Sequence, residues 1–131
     1  GTIAMIATDH APHTVEDKTG SMKTAAFGIT GLETSFPLLY TKLVKPGLCT
    51  VEQLVDWMSV QPASVFNLKE AGKLEVGATA DLTVMNVDDE YEIKEADFAS
   101  KGINTPFVGQ KVYGQTQLTM VAGKIVFQRE G

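Results

Sequence analysis

The chain has 131 residues, room for one domain or for a piece of a larger one. Apolar residues supply 44% of it, charged residues 21% and aromatics 8%, enough apolar surface to offset the entropy of ordering a core, which excludes a disordered chain. No apolar run nears the ~20 residues of a membrane-spanning helix, and 11 basic against 16 acidic residues give a net charge of −5, which argues against a nucleic-acid or anionic-membrane surface.

The chain opens on a nearly continuous apolar run, Thr2 to Thr8, stopped by Asp9-His10-Ala11-Pro12-His13. Such a run reads as a strand buried on both faces, the pattern of a parallel sheet covered by helices. A soluble domain rarely starts there, so further sequence upstream is expected. The start carries no basic n-region and no small-residue cleavage pattern, so no signal peptide is expected. Thr14 to Thr24 is small and charged and reads as a loop. Gly28 and Gly31 lead into an amphipathic helix over Leu32 to Val44, with Pro37 tolerated near its start and Pro46-Gly47 ending it. Thr50 and Gln53 form a capping box, and Val51, Leu54, Val55 and Met58 follow at helical spacing. Pro62 should break that helix and open a short one over Ala63 to Leu68.

After Leu68 the period changes. Ala80 to Val87 alternates like a strand, Asp88-Asp89 marks a turn, and Tyr91 to Ile93 reads as a short strand. Lys111 to Val121 and Lys124 to Gln128 flank Ala122-Gly123 as a hairpin. The expectation is a strand and helices first, then an antiparallel β layer. The single cysteine, Cys49, excludes an intrachain disulfide and suits a reducing cytoplasm; it reads as a small half-buried hydrophobe. Trp57 reads as a core or helix-docking residue.

The sharpest chemistry lies in Asp9 to His13, which holds both histidines of the chain and one carboxylate. At the C-terminal end of a parallel strand, side chains open onto the mouth where α/β folds place their catalytic groups. A carboxylate there can ligate a divalent metal and relay protons from metal-bound water. The alternative stays open that Asp9 only begins a turn and that His10 packs under the sheet with its ring nitrogens satisfied. A catalytic zinc takes about three protein ligands, and the chain offers no second cluster of suitable type. Asp81, Asp88, Asp89 and Asp97 read as solvated charges or turn formers. The stretch Ala26 to Glu33 is a glycine-bearing loop ahead of a helix. It reads as a ligand loop or a structural turn, without the lysine or spacing of a phosphate loop.

Three strings carry a resemblance: Thr8-Asp9-His10-Ala11-Pro12-His13-Thr14, Ala26-Phe27-Gly28-Ile29-Thr30-Gly31-Leu32-Glu33-Thr34, and Asn104-Thr105-Pro106-Phe107-Val108-Gly109. They resemble the C-terminal part of the bacterial dihydroorotase family, within the cyclic amidohydrolase superfamily. Gly72-Lys73-Leu74 and Gly77 to Leu82 look like the tail shared more widely across that superfamily. The resemblance implies an α/β fold: the last strand and helices of a (β/α)₈ barrel over residues 1–70, then part of a tail β-sandwich over 71–131. It implies binuclear zinc and the interconversion of N-carbamoyl-L-aspartate and (S)-dihydroorotate in pyrimidine synthesis. Asp9 would ligate one metal and shuttle protons, His13 would contact the substrate carboxylate, and Phe27 and Gly28 would contact the ring.

The family's first-strand His-x-His, bridging Lys or Asp, and two later histidines are not in this chain. A (β/α)₈ barrel needs ~250 residues. The chain is therefore expected to be a fragment, inactive alone, that self-associates, pairs with the missing N-terminal part, or is partly disordered before about residue 70. A non-catalytic scaffold supporting a partner such as aspartate transcarbamoylase, and a related enzyme of the allantoinase or dihydropyrimidinase type, are the competing readings.

Overall fold

The computed structural model describes residues 2–130. Its first half is helical and its second half is antiparallel β, as the change of hydrophobic period implies. Four elements depart from the expectation.

The apolar run over residues 2–8 is not a strand. A strand exists only through ladder bonds to a neighbour, and among the described residues none pairs with it. The run is fastened where the Ile6 N–H donates to the Trp57 carbonyl at 3.0 Å, and Ile3 is 82% exposed. The expected loop over 14–24 instead holds a one-turn helix, α1 (Val15–Lys18). The Thr14 hydroxyl accepts from the Asp17 N–H, and the Asp17 carboxylate accepts from the Thr14 N–H, a reciprocal cap.

Pro62 does not break its helix. Helix α3 (Val51–Val55) runs into a wider π-type turn (Asp56–Val60) and on into α4 (Gln61–Val65). A proline ring collides with the carbonyl four residues before it and donates no hydrogen bond. A widened turn directly before Pro62 relieves both problems, with the Gln61 N–H donating to the Asp56 carbonyl. The earlier helix starts later than expected, as α2 (Ser35–Leu39), and continues through a π-type turn (Tyr40–Val44). The Thr50–Gln53 capping box forms as read, and Leu54 is fully buried beneath it while Met58 and Trp57 are half-buried. Cys49 is buried.

The second half holds β1 (Leu82–Asn86), β2 (Tyr91–Glu92), β3 (Lys111–Val112), β4 (Gln115–Val121) and β5 (Lys124–Gln128). Strands β1, β4 and β5 form one antiparallel sheet in that order; β2 and β3 form a separate pair. The hairpin turn has positive φ at both Ala122 (48°) and Gly123 (77°), the geometry that matches strand twist. Asp81 is more than a solvated charge, because its carboxylate accepts the Ala122 N–H at 2.7 Å and ties the turn to β1. The buried core is small: Leu54, Val112, Ile93, Ala63 and Cys49. Large side chains such as Leu74 and Val76 stand free of it.

The β half folds back on the helical half. Tyr113 N–H donates to the Thr41 hydroxyl, and the Glu33 carboxylate accepts the N–H groups of Ala99 and Ser100 at 2.8 and 3.0 Å. The chain between the 3₁₀ turn Glu95–Asp97 and β3 is thereby laid across the loops that follow residue 8.

Candidate functional site

Three segments far apart in sequence meet here: residues 9–13, residues 26–31 and Asn104. Asp9 sits in left-handed backbone, φ 47°, a conformation that an aspartate tolerates better than most residues but that still stores strain. Its side chain is exposed and, among the described residues, has no hydrogen-bond or ion-pair partner.

His10 takes up the structural alternative left open by the sequence. Its Nδ1 accepts the N–H groups of Gly31 and Leu32 at 3.0 and 3.3 Å. An acceptor nitrogen carries no proton, so neutral His10 holds its proton on Nε2. The ring pins the second loop rather than facing a ligand. Beside it the Ala11 N–H donates to the Ile29 carbonyl at 2.9 Å.

His13, half-buried, places Nε2 at 2.8 Å from the Phe27 carbonyl oxygen. A carbonyl can only accept, so Nε2 carries the proton and Nδ1 is the atom left for a ligand. Phe27 is 81% exposed. Gly28 adopts φ 101°, and a Cβ there would lie 2.5 Å from the Ala11 Cβ, so only glycine lets the two loops approach this closely. Lys18, on α1, donates to the carbonyls of Ala26 and Gly28 at 2.8 and 3.0 Å and supports the loop from its far side.

All four residues expected from the sequence, Asp9, His13, Phe27 and Gly28, therefore belong to one loop cluster. Sequence reading missed the residues that hold it: Lys18, Glu33 and Asn104. The Thr14-x-x-Asp17 spacing was the available signal for α1 and hence for Lys18. Thr30, 2% exposed, has a hydroxyl with no partner among the described residues. Such a buried orphan costs about 1–3 kcal/mol.

Among the described residues no three His, Cys, Asp or Glu side chains converge to hold a metal ion. Asp9 offers a single hard oxygen donor where a zinc site takes about three protein ligands. The residues present do not by themselves fit a zinc centre.

A separate concavity of about 220 Å³ is lined by Glu33, Tyr91, Asp97, Phe127 and Arg129 among others. Burial pushes the Tyr91 phenol above its ordinary value, Arg129 opposes that shift, and Asp97 adds to it. No helix among the described residues is long and apolar enough to cross a membrane.

The amidohydrolase family model matches residues 1–126, and the chain belongs to that family. Within it, the chain is 87% identical over 131 residues to a dihydroorotase of Pediococcus pentosaceus, covering 100% of this chain and 31% of that protein. It is 61% identical over 130 residues to a dihydroorotase of Ligilactobacillus salivarius, covering 99% of this chain and 30% of that one. Among solved structures it resembles an L-hydantoinase (dihydropyrimidinase) from Arthrobacter aurescens, with a TM-score of 0.90 and 36% identity over 100% of this chain and 30% of that one. The chain thus spans about 31% of the length of the P. pentosaceus relative.

Proposed function

We propose that this chain supplies the loop face of a dihydroorotase, a hydrolase that interconverts N-carbamoyl-L-aspartate and (S)-dihydroorotate. The observation that carries the reading is the convergence of the three strings that first suggested it, with Asp9 bare and exposed at their junction. The 87% identity to a dihydroorotase, against 36% to an L-hydantoinase, favours this substrate over hydantoin or dihydropyrimidine.

In this reading residues 1–70 belong to the barrel and residues 71–131 to the tail β layer. A binuclear zinc centre, completed by ligands from outside this chain, would take Asp9 as one oxygen ligand and would supply Lewis-acid activation of water. Asp9 gives one oxygen ligand and, as the base, holds the proton that passes to or from the ring nitrogen. His13 meets the substrate carboxylate through Nδ1, which donates only when the ring carries its second proton. Phe27 and Gly28 border the ring. The chain alone is inactive, and it associates with the missing N-terminal part or with a second copy through its uncovered apolar side chains.

The test is turnover of dihydroorotate by the full-length enzyme and by its Asp9→Asn variant. Loss of turnover with the fold retained is expected; unchanged turnover removes Asp9 from the chemistry. Hydantoin or dihydropyrimidine turned over in preference to dihydroorotate would move the assignment to the hydantoinase branch. Turnover by the 131-residue chain alone would refute the claim that other sequence must complete the site.

A further inference from the structure

Among the described residues, Asn104 is the side chain from outside both loops that hydrogen-bonds to each of them, using its amide oxygen and both amide hydrogens. Its Oδ1 accepts the His13 N–H at 2.9 Å across 91 residues of sequence. Its Nδ2 donates to the Ala11 carbonyl at 2.9 Å and to the Gly28 carbonyl at 3.2 Å. Its own carbonyl accepts the Thr30 N–H at 3.1 Å. The orientation of the amide is forced, because one end faces a donor and the other faces two acceptors.

We propose that Asn104 is a positioning residue that sets the spacing between the Asp9–His13 loop and the Phe27–Gly28 loop, and through that spacing the fit of a cyclic, carboxylate-bearing substrate. This rests on the proposed dihydroorotase reading. The argument is geometric. A Cβ added at Gly28 would lie 2.5 Å from the Ala11 Cβ, so the loops already have one close contact about which they can pivot. Asn104 bonds both residues of that contact, Ala11 and Gly28, and also His13, two residues further along the first loop, and so stops the pivot. Neighbouring segments support the clamp without replacing it: Glu33 holds Ala99 and Ser100, which lead into Asn104, and Gly102 packs with its Cα side against Pro12, where an added Cβ would come within 2.9 Å of the Pro12 Cα.

The same geometry separates asparagine from its isostere. In Asn104→Asp an oxygen replaces Nδ2 and faces the carbonyls of Ala11 and Gly28, so two attractive contacts become repulsive while size is kept. Asn104→Ala removes all three bonds. If Asn104 acts only as packing, Asp is tolerated better than Ala; if it acts as a clamp, Asp is at least as damaging.

The experiment compares full-length wild type, Asn104→Ala and Asn104→Asp by steady-state kinetics on dihydroorotate and by site-resolved amide exchange. Both variants are expected to raise KM about tenfold or more while kcat moves less than about threefold, since Asp9 itself is untouched. Exchange at the His13 N–H is expected to rise at least tenfold, while the Thr30 N–H, held by the backbone of residue 104, stays protected. An unchanged KM in either variant, or Asp behaving like wild type, overturns the proposal. Equal loss of protection at His13 and Thr30 also overturns it, because it marks general unfolding rather than release of a clamp. The amide-exchange arm needs no substrate. If wild type does not turn over dihydroorotate, the functional reading fails while the clamp is still judged by exchange.

Discussion

The loop cluster and the antiparallel sheet are held together in opposite ways. Sheet β1-β4-β5 is a ladder of backbone bonds, in which a two-residue turn specifies the β4–β5 register locally while β1 pairs with β4 from far along the chain. The cluster is closed by side chains acting on backbone across long separations: His10 on Gly31, Lys18 on Gly28, and Asn104 on His13. A ladder tolerates the loss of one side chain because its bonds belong to the backbone. The cluster has less of that reserve: backbone bonds join Ala11 to Ile29 and Thr30 to Asn104, and the rest of its geometry depends on a few polar side chains and on glycines that admit close contact.

That contrast can be broken or sharpened by substitution in the full-length enzyme. The largest effect is expected from Gly28→Val, which combines a left-handed φ with a Cβ 2.5 Å from Ala11. Steady-state kinetics should show activity falling at least a hundredfold; near-normal activity would mean the loops move apart freely. His13→Ala should raise KM by about tenfold or more, through loss of a charge-assisted contact, and an unchanged KM would remove His13 from substrate binding. Leu54→Ala, beneath the helices, should cost about 2–5 kcal/mol of stability in a urea titration while leaving KM nearly unchanged. A KM that followed it would show that cluster and core are coupled.

Smaller effects belong to the β half and to the orphan hydroxyl. The raised Tyr91 phenol favours its protonated form in the fold, so its contribution to stability is complete below about pH 10, the ordinary tyrosine value, and is lost as pH rises beyond it. Tyr91→Phe should flatten that alkaline loss, measured as unfolding midpoint against pH; a variant with the same alkaline slope as wild type would assign the loss to another group. Thr30→Val should change stability little or raise it slightly, because it removes an unpartnered hydroxyl at constant shape. A clear fall in stability or affinity would reveal a partner for that hydroxyl in sequence beyond this chain.

The elements read correctly were those whose signal is local. The Thr50–Gln53 box, the Ala122–Gly123 hairpin and the helical stripe around Leu54 each depend on a few adjacent residues. The failures share a cause. Residues 2–8 carry the composition of a buried strand, yet composition cannot supply a neighbouring strand to pair with. Pro62 carries the signal of a helix end, yet the widened turn before it lets α3 run on into α4. Thr14 to Thr24 looked like loop because small charged residues outweighed a single capping pair.

The candidate site divides along the same line. Asp9, His13, Phe27 and Gly28 were legible because their residue types and order match a known string. His10 and Asn104 stood in those same strings without a role, since what they do is reach a backbone 21 or 91 residues away. Chain order alone marked the candidate residues and where several turns and caps fall, because those depend on side-chain type and near neighbours. Only the folded structure decided which loops touch, which histidine is spent on backbone and which carboxylate is left bare, because those depend on distances that no local pattern encodes.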